Sequence, residues 1–234
     1  MKVRVFISLL VACVCLLGEA PISSPDTIVE NYCAALRGQE ASLKGASMEV
    51  EMEAYLPKFK KQGRLHALRR ISALGRITYE MLKFEGDGTV KKEVIARYLT
   101  AETESQRTQS PSRAVTPDNY KFKYKGMREL SQRPVHVFEV TPRQKREGLF
   151  KGEVWIDAAT FLRVQESGYF VKNPSIIVKR IAFVRRYEIR DGISLPRQVQ
   201  SVTNTRLFGK AELTIDFTHF AIDDKRIVGD DEGQ

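Results

Sequence analysis

Acid–base chemistry needs carboxylates that converge, and four stand near one another in this chain: Glu139, Glu153, Asp157 and Glu166. Each lies in a run of alternating apolar and polar residues, where a charge ordinarily points into solvent, so all four read as surface groups. Metal chemistry needs His, Cys, Asp or Glu at ligand spacing. His66, His136 and His219 are scattered and read as half-buried strand residues. Cys33 has no partner beyond the first twenty residues, which hold Cys13 and Cys15, so it reads as a buried helix residue rather than half of a disulfide. No nucleophile elbow, zinc-protease helix motif, phosphate-binding glycine loop or dinucleotide fingerprint occurs. The residue types point away from an enzyme, a metal or a cofactor, and toward binding.

Charge narrows the partner. Lys plus Arg number 38 against 29 Asp plus Glu, a net of +9. The basic clusters Lys58–Arg70, Lys121–Arg128, Arg143–Arg146 and Lys179–Arg190 read first as solvated strand faces, then as contacts for an anionic membrane surface or an acidic envelope protein. Phe122, Tyr124, Phe183 and Tyr187 interleave with them, a mixture that also suits single-stranded nucleic acid. The leader argues against nucleic acid. Residues 1–20 begin with Lys2 and Arg4 and continue as an apolar run, the pattern of a secretory signal peptide. Gly18-Glu19-Ala20 offers small residues for cleavage, although Pro21 follows. The alternative is a lipoprotein anchored at Cys13, because Leu10-Val11-Ala12-Cys13 has the form of a lipobox. The chain is thus expected to be exported, periplasmic or associated with the outer membrane.

The elements that position these residues are mostly strands. Ser24-Pro25-Asp26 opens a helix whose face carries Ile28, Tyr32 and Leu36 and which ends near Gly38. From Met48 to Leu56, Met48, Val50 and Met52 alternate with Glu49, Glu51 and Glu53, a strand with one apolar face. Gly63–Ser72, Leu74–Glu85 and Lys91–Thr103 read as three further strands. Glu104–Asn119 has almost no apolar residue and reads as a mobile loop. Asp118–Tyr124 returns to strand. Arg133–Gln200 is a succession of runs rich in Val, Ile, Phe, Tyr and Thr, each bounded by Gly, Pro, Asn or Asp. Ala211, Leu213, Ile215, Phe217 and His219 line one face of a final strand, and residues 229–234 form an acidic disordered tail. One helix and ten or eleven strands at short spacing predict a mainly β fold. We expect an open or half β-barrel over residues 21–228, a curved antiparallel sheet with the helix on its concave side.

Within Arg133–Gln200, Val137–Pro142 reads V-F-E-V-T-P and Val154–Asp157 reads V-W-I-D. Arg180–Ile189 reads R-I-A-F-V-R-R-Y-E-I and Asp191–Pro196 reads D-G-I-S-L-P. This succession resembles the C-terminal half of the LolA/LolB-like outer-membrane lipoprotein-sorting proteins. The resemblance implies a non-enzymatic half-barrel that carries lipid or lipoprotein acyl chains, with the N-terminal helix plugging the cavity through Ile28, Tyr32 and Leu36. It also implies short helices over the cavity in the region of Glu104–Asn119, where this chain lacks helical periodicity.

The preferred function is therefore an exported carrier or sensor that holds an acyl chain or similar ligand in an apolar concavity. Its expected lining is Met48, Val50, Met52, Phe138, Val154, Ile156, Phe183 and Leu213. The alternative is a structural or interaction protein of the envelope whose sheet is filled by its own side chains.

Overall fold

The computed structural model describes residues 24–107, 113–173 and 176–222. The expected leader at 1–20, the alternative lipid anchor at Cys13 and the expected tail at 229–234 lie outside the described residues. Helix α1, Pro25–Ser42, begins as its sequence requires: Ser24 stays extended, its hydroxyl accepts from the Thr27 amide, and Pro25 takes the first helical position. The helix passes Gly38 and ends at Ser42.

Ten strands follow: β1 (Ala46–Leu56), β2 (Lys61–Ile71), β3 (Ile77–Gly86), β4 (Tyr120–Leu130), β5 (Arg133–Pro142), β6 (Phe150–Asp157), β7 (Arg163–Phe170), β8 (Val178–Arg190), β9 (Ile193–Thr205) and β10 (Lys210–Ile222). They form one curved antiparallel sheet in the order β3-β2-β1-β10-β9-β8-β7-β6-β5-β4. Every neighbouring pair except β1–β10 is consecutive in the chain, so two meanders meet at that pair. The sheet stays open, with β3 and β4 as its edges.

The stretch Lys91–Thr103, expected as a strand, is helical. After β3 the chain forms α2 (Gly88–Val90), a π-helical turn (Lys91–Ala96) and α3 (Arg97–Arg107) without interruption. Asp87 starts it, accepting from the Thr89 and Val90 amides at 2.8 and 3.3 Å. Val90, Val94, Ile95, Tyr98 and Leu99 recur at helical spacing and all pack on the sheet. The β-branched and aromatic residues favour a strand by composition; packing of this stripe overrides that preference. The loop expected over Glu104–Asn119 is corrected in the same way, since Glu104–Arg107 complete α3. The connection from β3 to β4 must pass from one edge of the sheet to the other, and this helix lies along it, against β1, β2, β3 and β10.

Strand register assigns the faces. Met48, Val50 and Met52 share a side with Arg69, Ala67 and Leu65 of β2 and with Phe217 and Ile215 of β10. Following the pairs across the sheet puts Phe183 and Arg185 of β8, Glu166 of β7, Val154 of β6 and Phe138 of β5 on that same inner face. The helices cover this face. Gly152 and Gly168 are paired on it where β6 and β7 approach too closely for any side chain. A Cβ on Gly152 would lie 1.9 Å from the Ser167 carbonyl oxygen, and one on Gly168 2.3 Å from that of Lys151. The outer face of β1 is polar: Glu53 pairs with Arg64 at 2.6 Å, Glu51 with His66 at 3.5 Å and Glu49 with His219 at 3.0 Å.

Candidate functional site

The inner face carries two apolar beds, each under its own helix. The first, beneath α2, the π-helical turn and α3, is mainly aliphatic, with Phe217 among its buried residues, and holds Met48, Val50, Met52, Leu65, Leu213 and Ile215 against Val90 and Ile95. The second, beneath α1, is aromatic. Phe138, Phe150, Phe183 and Tyr120 pack there with Val154 and Ile156 against Ile28, Val29 and Tyr32. Its rings pack in two groups: Phe150 lies 5.1 Å from Phe183 and Phe183 lies 5.0 Å from Phe170, while Tyr124 lies 5.1 Å from Phe138. Met48, Val50, Met52, Phe138, Val154, Ile156, Phe183 and Leu213 are each no more than 5% exposed. Of the three residues expected to plug a cavity, Ile28 and Tyr32 are buried and Leu36 is partly buried in the same bed.

Polar tethers hold both helices. The Gln39 side chain of α1 donates to the Gly192 carbonyl at 3.1 Å and accepts from the Ser194 amide at 2.6 Å. Glu102 of α3 accepts from Arg69 at 2.9 Å and from the Tyr79 hydroxyl. Arg69 also reaches the Met48 sulfur at 3.6 Å and stacks 5.9 Å from the Phe217 ring centroid.

An ionic seam joins the beds. Glu166, 1% exposed, accepts from Arg163 at 3.1 Å on one oxygen, and from Tyr187 at 3.0 Å and Arg185 at 3.5 Å on the other. Burial pushes its carboxyl upward, but Arg163, Arg185 and the Tyr187 hydroxyl outweigh burial and hold it below the usual carboxylate range. Burial raises the Tyr187 hydroxyl to about 12 and keeps it a neutral donor. Arg163 lies 4.5 Å from the Tyr187 ring centroid, and Arg185 lies 4.6 Å from that of Phe183. Tyr32 approaches the seam from α1 and Tyr98 from α3. The Tyr32 hydroxyl is buried with no hydrogen-bond partner among the described residues.

The chain is similar to several solved structures. One is a LolA superfamily protein from Nitrosomonas europaea, with 11% identity, a TM-score of 0.36, and coverage of 85% of this chain and 93% of that one. A second, described as a putative outer membrane lipoprotein-sorting protein domain from Vibrio parahaemolyticus, has 10% identity, a TM-score of 0.42, and coverage of 84% and 92%. A third is a DUF1329 family protein from Desulfovibrio piger, with 16% identity, a TM-score of 0.43, and coverage of 84% and 93%. No family model matches the chain, and no curated protein matches it significantly.

Several polar expectations need correction. Glu166 and Asp157 are buried, not solvated. Asp157 organises the β6–β7 turn, accepting from the Ala159 and Thr160 amides at 3.1 and 2.9 Å. Glu139 stays at the surface 3.5 Å from Lys125, and Glu153 accepts from the Trp155 indole. His136 is buried against Tyr124, with 3.1 Å between its Nδ1 and the hydroxyl, while His66 and His219 are exposed. A register shift between β1 and β10 and a left-handed φ of 49° take His219 out of the apolar alternation. Cys33 is half-buried against the aromatic bed beneath α1, and burial raises its thiol, which disfavours the reactive thiolate. Among the described residues no group of three His, Cys, Asp or Glu converges at metal-binding distance.

The basic clusters are not uniformly solvated either. Arg69 and Arg185 belong to the inner face, and alternation was the available signal. Arg69 is in phase with Leu65 and Ala67, and Arg185 with Phe183 and Tyr187. No such phase reveals Arg163, three residues from Glu166. An extra residue in β7 shifts the register between Trp155 and Ile156 and brings Arg163 opposite Ile156 on the inner face.

Proposed function

We propose that this chain is an exported, non-enzymatic carrier or sensor that takes an acyl chain, or a lipoprotein bearing one, onto the inner face of its sheet. One observation carries the reading: all eight expected lining residues lie on the face that the helices cover, in beds whose helices are also held to the sheet through a few polar tethers. Lifting such a cover would expose a continuous apolar trough. An acyl chain of a dozen methylenes that refilled it would contribute on the order of 10 kcal/mol before ordering costs, at roughly 0.8 kcal/mol per CH2. The leader at residues 1–20 supports export.

A second reading, an envelope interaction protein that docks through its basic strand faces, is favoured by one fact. The lining residues are already packed against the protein's own helices. Native mass spectrometry of the protein purified from an exported fraction, with titration of a fluorescent fatty-acid probe, separates the two. A stoichiometric lipid adduct and saturable probe binding are expected. A bare mass together with no probe binding would leave only the docking protein.

A further inference from the structure

Arg163 and Arg185 share a single carboxylate. Each guanidinium offers five N–H donors. Among the described residues, Arg163 gives Glu166 one at 3.1 Å and Arg185 gives it one at 3.5 Å. Glu166 accepts from these two and from Tyr187. The trio Arg163, Glu166 and Arg185 therefore carries a net charge of +1. A surplus positive charge only partly sheltered from water attracts a negatively charged occupant on its accessible side.

The surplus can be reached. Of the side-chain surface, 29% of Arg163 and 37% of Arg185 remains accessible, against 2% of Glu166. The Tyr32 hydroxyl, buried beside Arg163 with no partner, supplies a further neutral donor. The Arg185 guanidinium also lies 4.6 Å from the Phe183 ring centroid and 6.0 Å from that of Phe170. Cationic donors thus adjoin an aromatic wall, an arrangement that suits a ligand with an anionic end and an apolar body.

We infer that Arg185 and Arg163, with Tyr32, receive the head group of a singly charged anionic amphiphile whose chain runs along Phe183 and Phe170. The inference rests on the carrier reading and adds a head-group specificity to it. A carboxylate and a phosphodiester share the required chemistry, an oxyanion that accepts a guanidinium fork.

Displacement of the neutral probe N-phenyl-1-naphthylamine from the full chain tests this with three amphiphiles: palmitate, phosphatidylglycerol and cetyl alcohol. At least one of the two anions should bind ten times or more tightly than the alcohol, and the tighter of them identifies the head group. Arg185→Gln should weaken the anion about ten- to hundredfold, the scale of one charge-assisted contact, and leave the alcohol unchanged. Arg185→Lys should restore part of the loss. Equal binding of alcohol and anions overturns the head-group site while the carrier stands. Failure of every amphiphile to displace a bound probe, or of the probe to bind, removes the carrier and the head-group site with it. The wild-type comparison decides the matter even where a variant does not fold.

Discussion

The two beds of the inner face are both buried and are built from different materials. Beneath α1, Tyr120, Phe150 and Phe183 pack edge to face or tilted, and Phe138 packs in the same way on Phe122 and Tyr124, so each ring fixes its neighbours. Beneath α3, Met48, Met52 and aliphatic residues form the surface, and unbranched thioether chains adapt to new shapes at little cost. The covers differ in the same sense. Helix α1 is regular from a well-capped start, whereas the helix over the aliphatic bed contains a six-residue π-helical turn, a feature that recurs where helices deform for function. One sheet therefore supports a rigid half and an adaptable half, with the ionic seam between them.

The largest effects should separate the halves most plainly. Phe138→Ala is expected to cost about 3–5 kcal/mol, because the packed rings cannot collapse around the lost one. Met52→Leu, in the adaptable bed, should cost less than about 1.5 kcal/mol. Urea denaturation of both variants measures the contrast, and similar losses would erase the distinction.

Next in size is the seam. Glu166 is depressed in the folded protein, so its contribution is fully present above its ordinary value of 4.5 and is lost as pH falls through its folded value. Stability measured from pH 7 down to 3 should hold until about 4.5 and then decline. Glu166→Gln should flatten that decline and cost about 3–5 kcal/mol at neutral pH, because it leaves two guanidiniums without their counter-charge. An unchanged acid profile in the variant would remove Glu166 from the account.

The smallest effect belongs to the α1 tether. Gln39→Ala removes two hydrogen bonds and should lower global stability by about 1–2 kcal/mol. Hydrogen exchange should accelerate in α1 and remain unchanged in α3. Equal acceleration in both helices would show that the covers move together.

Much of this architecture was legible from the chain. Alternation in Met48–Leu56 and Ala211–Phe217, and the turn residues bounding each run from Arg133 to Gln200, set strand identity and the apolar side, because side-chain direction in a strand has a strict period of two. The cap at Ser24 and the stripe of Ile28 and Tyr32 did the same for α1. All eight expected lining residues share the inner face for that reason. The stripe Val90, Val94, Ile95, Tyr98 and Leu99 was equally present in the sequence, but its β-branched and aromatic composition imitates a strand until the sheet supplies something for a helix to cover. Tertiary structure alone decided the seam. Glu166, Arg163 and Arg185 come from two strands and depend on a register shift in β7, and an ionic residue in a strand shows its depth only when the neighbouring strands and both helices have closed around it. Local pattern sets which way a side chain points; the company it meets there belongs to the whole fold.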